Sequence, residues 1–453
     1  MPRRFRLLAD IGPLRRSAAY RRLWVGITLS SIGGSLTYFA VILQVYRLTH
    51  SSFAVGALGL AQVVPLLTVG LLAGSLTDAV DRRRLALVTG SLLAAVSVAL
   101  AAQAFAGLRA VGLLYALVAV QSAVQAIDFP VRNALVPSLL PAEERTAGLA
   151  LSRFSFQVTL VVGPALAGVI AAAPHLGVGA CYLVDAISFL ASLYGISRLP
   201  AMPPQAAARP GWRAVTEGAR FIRRSQPLAG AFLADLNATV FGLPTALFPA
   251  INAARFGGSP RTLGLFTAAI GVGGLVSAVL SGPLRHLGRP GRAMLVTVAV
   301  WGGAFAGFAV ARSLWLTLTL LAVAGAADMF TVVFRGAILQ DVTPEPLRGR
   351  VMATDYVVGA GGSQLGNLEA GTLASLTTPG ISALAGGLAT VAGAGLLGLL
   401  LPGFRRHHWT GQPPEVTASP AAILAAAAPA SPLDPVVPGP SRSEPHQPRE
   451  SPQ

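Results

Sequence analysis

Three carboxyl groups, those of Asp185, Asp235 and Glu369, lie deep inside long apolar runs of this sequence. None has an obvious basic partner in its own run, and a charged side chain at the centre of a bilayer costs about 2.5 kcal/mol or more. Burial disfavours the ionised form of a carboxyl group, so such a group can take up a proton near neutral pH. We treat these residues, with Asp128 near the end of another apolar run, as candidates for proton coupling. The alternative is that they are structural and bond to neighbouring helices.

Two acid–base pairs form a second group of candidates. Asp128 and Arg132 are four residues apart, and Asp328 and Arg335 are two helical turns apart, so each pair can share one face of a helix. We favour the interpretation that these pairs are salt bridges which latch the two halves of the molecule, over direct proton carriage. Asp355 lies near the start of another apolar run and is interpreted as a latch or a helix cap.

The composition decides the class of protein. Of the 453 residues, 53% are hydrophobic and 11% are charged, and the mean hydropathy is +0.63. Soluble globular proteins have about 25% charged residues, so a large soluble enzyme is excluded in favour of a membrane protein. The net charge of +16 comes from 34 arginines, which punctuate apolar runs rather than form a nucleic-acid-binding patch. The single cysteine, Cys181, allows neither a disulfide nor a zinc cluster.

Catalytic motifs are absent from the sequence. No Walker phosphate loop and no Gly-x-Ser-x-Gly turn occurs, and no histidine has metal-binding spacing with a second ligand. We therefore expect no enzyme activity, no cofactor, no metal site and no nucleic-acid partner.

Twelve apolar runs are long enough to cross a membrane as helices, which needs about 20 residues. They predict an all-α membrane protein with two pseudo-symmetric bundles of six helices. The runs cover roughly residues 23–46, 53–76, 85–107, 111–133, 147–173, 178–198, 228–250, 262–284, 292–313, 314–336, 351–375 and 381–404.

The segments outside these runs complete the predicted organisation. Residues 1–22 form an arginine-rich start, 23–198 the first bundle and 228–404 the second. The linker 199–227 contains an amphipathic stretch in which Trp212, Val215, Ala219 and Ile222 share one helical face, typical of a helix that lies on the membrane surface. The Pro-, Ala- and Ser-rich tail 405–453 is typical of a disordered extension.

The two halves repeat in sequence. A shift of 203 residues, held without a gap over 37 residues, superposes the end of the fourth run and the fifth run on the end of the tenth and the eleventh. The matches include Arg132 with Arg335, Gly163 with Gly366 and Gly168 with Gly371. Such a repeat is typical of transporters whose halves rock about a central site.

Several motifs resemble those of the major facilitator superfamily. The loop after the second run has Gly74, then Asp78, then the basic cluster Arg82, Arg83 and Arg84. Gly163, Pro164 and Gly168 resemble the antiporter motif of drug exporters, with Ala167 in place of a glycine. Further stretches resemble the enterobactin-exporter and macrolide-efflux branch; they cover residues 46–51, 128–134 and 348–351.

The resemblance implies a monomeric secondary exporter of a hydrophobic or amphipathic small molecule, such as a drug, an antibiotic or a siderophore, driven by proton antiport. It places the chain in the bacterial inner membrane and gives gate or latch roles to Asp78, Arg82, Arg83, Arg84, Arg132, Asp328, Arg335 and Arg348. In this family the first, fourth, seventh and tenth spans line the cavity, so the candidate cavity residues are Thr37, Tyr38, Gln44, Asn237 and Thr239. Such polar stripes are more often helix packing. A proton-coupled importer of a small nutrient and a non-transporting scaffold remain alternatives.

The arginines predict the orientation. With the amino terminus inside, inner segments hold 28 arginines and outer loops hold 5, and the excess of basic residues marks the cytoplasmic side. Both termini are therefore predicted to be cytoplasmic.

A reporter experiment tests this orientation. Alkaline phosphatase, which is active outside the cytoplasm, should be inactive when fused after Arg224 and active when fused after Pro260. A fluorescent reporter that needs the cytoplasm should give the reverse pattern. A cytoplasmic signal after Pro260 would contradict the predicted topology.

Overall fold

The structure, a computed structural model, describes residues 11–200, 202, 212–242, 244–280 and 288–409; for residues 71–79 and 212–214 it describes the backbone only. Every regular element in these ranges is helical. Twelve long helices, α1 to α12, correspond to the twelve predicted spans. Their bounds are α1 Ala18–Thr49, α2 Ser52–Ala79, α3 Arg82–Phe105, α4 Val111–Ser138, α5 Ala142–Ala172, α6 Gly177–Ser197, α7a Gln226–Phe241, α7b Phe248–Arg255, α8 Pro260–Leu280, α9 Pro290–Val310, α10 Leu314–Val342, α11 Arg348–Leu376 and α12 Pro379–Leu400.

Eleven helices of the described chain are long and apolar enough to span a membrane, with α7a and α7b counted as one. The twelfth, α11, has 29 residues, which at about 1.5 Å per residue is ample length for a span. Its four charged residues and six glycines lower its hydropathy. Because α11 packs against α2 and the second bundle along its length, these polar residues have protein neighbours.

The seventh span is broken, which differs from the continuous run predicted over 228–250. Helix α7a ends at Phe241, a 3-10 turn covers Thr245–Leu247, and α7b follows directly. Pro244 begins the turn. Proline has no N–H to donate to the preceding turn and its ring clashes with the carbonyl four residues back, so the helix cannot continue through it.

Two six-helix bundles form as predicted. In the first, α1 and α3 pack against α6, and α2 packs against α4. In the second, α9 packs against α12 and α10, and α8 packs against α10. The halves meet along two seams, in which α2 packs against α11 and α5 against α8. This architecture confirms the predicted all-α membrane fold.

Glycines create both seams. A Cβ added to Gly264 of α8 would lie 2.5 Å from the carbonyl oxygen of Pro164 and 3.0 Å from Cα of Gly168. In the other seam, a Cβ on Gly371 of α11 would lie 3.2 Å from Cα of Gly56 in α2. The repeat relates Gly168 to Gly371, so equivalent glycines form equivalent seams. Both contacts lie near the starts of α2 and α8 and the ends of α5 and α11. The two bundles are therefore in close contact on the side of the molecule opposite the chain termini.

The linker helix Trp212–Arg224 packs against the start of α11. Glu217 forms an ion pair with Arg350 at 2.5 Å, and Thr354 donates to the carbonyl oxygen of Val215 at 3.2 Å. A Cβ on Gly218 would lie 2.5 Å from the carbonyl oxygen of Arg350. The linker is thus docked onto the second bundle.

Packing against α11 buries one side of this helix, and the placement of its apolar face on the membrane surface stays a prediction. Its buried residues are Gly218, Phe221 and Ile222, whereas Val215 and Ala219 are only half-buried. The side of the helix that contacts α11 includes Gly218, which is why this residue is buried. The side chain of Trp212 lies outside the described residues.

Gly264→Val should destabilise the closed seam, because the atoms that its Cβ would meet belong to the backbone of α5 and cannot rotate away. Overpacking of this kind costs about 1–3 kcal/mol. We expect a lower melting temperature for the detergent-purified protein. Gly303→Val is the matched control, since nothing lies within 4 Å of a Cβ at Gly303. Equal melting temperatures for the two variants would contradict the seam assignment.

Candidate transport site

Arg132 is neutralised inside the first bundle. It forms the predicted ion pair with Asp128, one turn away on α4, and donates to Ser30 Oγ of α1 at 2.8 Å. Asp128 in turn accepts from Thr89 Oγ1 of α3 at 2.7 Å. All these partners belong to the first bundle. The expectation that this pair latches the two halves is therefore wrong for this structure: it joins α1, α3 and α4.

Arg335 is neutralised by carboxyl groups from two other helices. It forms an ion pair with Asp235 of α7a and lies 3.5 Å from Asp355 of α11. Asp328, the partner expected from sequence, forms no ion pair with Arg335 within 4 Å, although it interacts electrostatically with both Arg335 and Asp235. Asp235 is consequently not an unpaired carboxyl: its basic partner lies on α10, which its own helix could not reveal.

The repeat extends to the surroundings of the two arginines. The shift of 203 residues places Thr331 at the position of Asp128. In the third and ninth spans the matching shift is 208 residues, which aligns Leu87-Val88-Thr89 with Leu295-Val296-Thr297 and so places Thr297 at the position of Thr89. The hydroxyls of Thr297 and Thr331 form a hydrogen bond at 2.8 Å, as Thr89 and Asp128 do at 2.7 Å. The second half thus has the same contact without the acid, and Asp235 and Asp355 supply the negative charge.

Asp185 is fully buried in the first bundle. Its carboxylate Oδ2 accepts from Thr37 Oγ1 of α1 and from Ser97 Oγ of α3, both at 2.7 Å. Its other oxygen, Oδ1, has no hydrogen-bond partner within the described residues. Neutral hydroxyls, rather than a basic group in contact, therefore hold this carboxyl.

The polar stripe of α1 faces the interior of the first bundle. Ser30, Thr37 and Gln44 follow one another at intervals of seven residues, and Gln44 forms hydrogen bonds with Gln103 and Tyr182. Thr37 and Gln44 are 1% and 7% exposed. The expectation that these two side chains line the cavity is wrong in this structure, and the packing alternative accounts for them.

The candidate cavity residues of α7a also bond within the second bundle. Asn237 donates to the carbonyl oxygen of Thr390 in α12 at 2.8 Å. Thr239 donates to the carbonyl oxygen of Asp235 in its own helix at 2.9 Å. A Cβ on Gly362 would lie 2.5 Å from Thr239 Oγ1, so this residue is a packing contact with α11.

Accessible side chains mark the space between the halves. Tyr38 of α1 is 41% exposed and forms a side-chain hydrogen bond with Thr245, in the break of the seventh span. Phe129 of α4 and Tyr356 of α11 stack across the halves with ring centroids 5.8 Å apart. Asp328 is exposed on α10 at about mid-length of that helix. A carboxyl group and three aromatic rings are thus available to a ligand.

Glu369 stands apart from these networks. It is half-buried on α11, and within the described residues it has no ion pair or hydrogen bond. Its role in proton coupling stays a prediction.

The antiporter-like motif contributes packing surfaces. A Cβ on Gly163 would lie 2.4 Å from Ser35 Oγ of α1, and one on Gly168 would lie 2.7 Å from the carbonyl oxygen of Pro260 in α8. The motif therefore presses α5 against the first bundle on one side and against the second bundle on the other.

The loop between α2 and α3 is organised by Asp81. Its side chain accepts from the backbone N–H of Arg84 at 3.0 Å and of Met202 at 2.9 Å. Desolvation raises the pKa of Asp81, but the backbone hydrogen bonds and the charge of Arg84 together outweigh it and hold the pKa below its ordinary value. Arg83 donates to the carbonyl oxygen of Ser197 at 2.5 Å. The side chains of Gly74 and Asp78 lie outside the described residues.

Sequence reasoning missed the hydroxyl partners of the buried acids. Thr89 and Ser97 lie eight residues apart on the buried face of α3, and each bonds a carboxylate of another helix. The only signal was this two-turn spacing. No group of three or more His, Cys, Asp or Glu residues in the described ranges could hold a metal ion.

Comparisons with known proteins agree with this geometry. Residues 9–409 match the family model described as transmembrane secretion effector, within the major facilitator superfamily. The enterobactin exporter of Citrobacter koseri is 28% identical over 414 residues, covering 90% of this chain and 97% of its own length. That of Shigella boydii serotype 18 is 27% identical over 414 residues, covering 91% and 98%.

Solved structures share the fold. A bacterial homologue of the iron transporter ferroportin, in the inward-facing state, has 17% identity and a TM-score of 0.66 over 86% of this chain and 98% of its own. A transporter of the POT family in complex with 5-aminolevulinic acid has 9% identity and a TM-score of 0.70 over 86% and 97%. The resemblance found in the sequence is confirmed, and the chain is a transporter rather than an enzyme: it belongs to the transmembrane secretion effector family of the major facilitator superfamily.

Proposed function

We propose that this protein exports a hydrophobic or amphipathic small molecule from the bacterial cytoplasm by proton antiport. The names of the enterobactin exporters to which it is similar support the direction of transport and a siderophore-like or drug-like substrate. The 28-to-5 distribution of arginines supports an inner-membrane protein with both termini in the cytoplasm.

The charge balance around Arg335 is the observation that carries the coupling proposal. Three carboxyl groups, those of Asp235, Asp328 and Asp355, interact with one guanidinium between α7a, α10 and α11. If all three are ionised, the cluster has a formal surplus of two negative charges. Such a surplus in a low-dielectric region is costly unless a cation or proton balances it. The cluster is therefore suited to proton uptake and release.

In the proposed cycle, Asp235 alternates between two states: it either carries a proton or contacts Arg335. With Asp235 ionised, the guanidinium holds α7a against α10, as in this structure. With Asp235 protonated on the outer side, Arg335 is free to pair with Asp355 or Asp328, and α7a can shift relative to α10. Substrate is released in that state, and loss of the proton to the cytoplasm restores the pair. Asp185 and Glu369 are the other candidates, and Asp128 is placed lower because Arg132 and Thr89 already satisfy it.

The accessible side chains support the proposed substrate class. Tyr38, Phe129 and Tyr356 offer flat apolar rings, of which two also carry a hydroxyl, and Asp328 offers an accessible carboxyl group. Aromatic surfaces with a few polar groups are typical of sites for amphipathic small molecules.

Uptake of a panel of macrolides, catecholate siderophores and hydrophobic dyes into cells tests the proposal. Cells that contain the protein should accumulate less of at least one compound, and a protonophore should abolish the difference. Equal accumulation of every compound contradicts export.

Arg335→Gln should impair transport strongly, because it leaves Asp235 and Asp355 beside no positive charge. Loss of one partner of a buried pair costs about 3–5 kcal/mol, so we expect at least a tenfold slower export with a lowered melting temperature. The double variant Arg335→Gln, Asp235→Asn should recover the melting temperature without recovering export. Arg312→Gln, at an exposed arginine, is the control. Normal export by Arg335→Gln would remove this cluster from the mechanism.

Asp235→Asn should uncouple transport from the proton gradient while keeping the fold, since the amide nearly preserves volume and hydrogen bonding. In proteoliposomes with an imposed pH gradient, we expect gradient-driven transport to be lost and substrate binding to remain. Glu369→Gln and Asp185→Asn test the two other candidates in the same assay. If all three variants respond to the gradient as the parent does, none of these carboxyl groups carries the proton.

A further inference from the structure

A cleft of about 370 Å³ opens where α10 ends and α11 begins. Its walls are the end of α10, the start of α11 and the chain that follows α12. Among its lining residues are Thr343, Arg348, Met352 and Trp409. Met352 and Trp409 are 56% and 43% exposed, so the cleft is reached from outside the protein.

Two hydrogen-bond donors in this cleft have no partner in the described chain. Thr343 is 1% exposed, and its Oγ1 is buried without a hydrogen bond. Arg348 is half-buried, its Nε is buried without a hydrogen bond, and its guanidinium makes no ion pair among the described residues. A buried donor without a partner costs about 1–3 kcal/mol. An acceptor that fills the cleft would remove both costs together.

The acid of the cleft is already engaged. Asp341 is 6% exposed, and its Oδ2 lies 3.0 Å from Nε2 of His407. This contact ties the chain after α12 to the end of α10 and occupies the carboxylate. It leaves Arg348 and Thr343 as the lining residues with a polar side-chain atom that has no hydrogen-bond partner in the described chain.

The position of these groups favours an anion. Arg348 is the first residue of α11, and the amino end of a helix carries a partial positive charge that attracts anions. A guanidinium presents paired N–H donors in the geometry of phosphate oxygens. The unpaired hydroxyl of Thr343, which is not part of the helix, points to the same kind of acceptor.

The position of the cleft relative to the membrane favours a lipid headgroup as the source of the anion. Helix α10 ends at Val342 and α11 begins at Arg348, so the cleft lies where two spans reach the membrane surface. Tryptophan and arginine are typical of this interface, and basic pockets between spans bind the headgroups of anionic lipids. Met352 and Trp409 offer apolar contacts for the glycerol and upper acyl region beside the polar groups.

We propose that this cleft binds the phosphate group of an anionic phospholipid. The guanidinium of Arg348 and the hydroxyl of Thr343 donate to the phosphate oxygens, and Trp409 covers the headgroup. A bound lipid then joins the turn between α10 and α11 to the segment after α12, which Asp341 and His407 already hold together.

Native mass spectrometry of the full chain in a neutral detergent tests this site. Titration with phosphatidylglycerol should show a bound lipid with at least about tenfold higher affinity than phosphatidylcholine. Arg348→Gln should weaken that binding by about tenfold or more, as expected for a lost charge-assisted hydrogen bond. Thr343→Val, which keeps the shape and removes only the unpaired donor, should weaken it severalfold without lowering the melting temperature. Arg220→Gln, at an exposed arginine of the linker helix, is the control and should bind as the parent does.

The outcomes separate the sources of the anion. Competition with inorganic phosphate at millimolar concentration should leave phosphatidylglycerol bound, because the lipid adds apolar contacts. Displacement by inorganic phosphate at concentrations comparable to those of the lipid would assign the site to a free anion and overturn the lipid proposal. Equal binding of phosphatidylcholine, or parent-like binding by both Arg348→Gln and Thr343→Val, would also overturn it.

Discussion

A buried arginine in each half must be neutralised, and the packing around the centre of the molecule depends on how this is done. Arg132 finds Asp128 one turn away on its own helix, so the pair forms as soon as α4 forms, and Thr89 and Ser30 then attach it to α3 and α1. Arg335 has no acid on the equivalent turn, since Thr331 stands there. Its ion pairs, with Asp235 and Asp355, form only when α7a and α11 pack against α10. The arginine is therefore neutralised within its own helix in the first half, whereas the equivalent arginine of the second half forms its ion pairs with other helices.

The seams between the halves rest on a different force. In lipid, apolar side chains gain little by meeting one another, so helices associate through close packing and the interface favours small residues. Gly168 with Gly264, and Gly371 with Gly56, allow backbone to approach backbone. The repeat relates the two seams, and they lie on the same side of the molecule. The ion pairs of Arg132 and Arg335 lie inside the bundles and take no part in these seams.

Much of the fold was predictable because apolar length and arginine position are properties of the chain itself. The boundary between the ninth and tenth runs, predicted between residues 313 and 314, was also correct, since α9 ends at Val310 and α10 begins at Leu314. The break of the seventh span was not predicted, although Pro244 lies in it. Hydropathy reports the length of an apolar run and does not reveal that a proline interrupts the helix. The site was harder to predict. A polar stripe such as Ser30, Thr37 and Gln44 looks the same whether it faces a cavity or another helix. Partners on other helices, as for Asp235, leave no trace in the local sequence.

The asymmetry between the halves bears directly on coupling. In the first bundle one carboxylate meets one guanidinium, and Asp185 is held at Oδ2 by two neutral hydroxyls while its Oδ1 has no partner in the described residues. In the second bundle three carboxyl groups share Arg335, and one of them, Asp328, is exposed at mid-length of α10. A proton or a cationic substrate group that arrives at Asp328 changes the charge that Arg335 must balance. That change alters the relative strength of its contacts with Asp235 and Asp355, which lie on two different helices. The protonation of Asp235 in the proposed cycle acts through the same guanidinium, so both events reach helix packing through the side chain of Arg335.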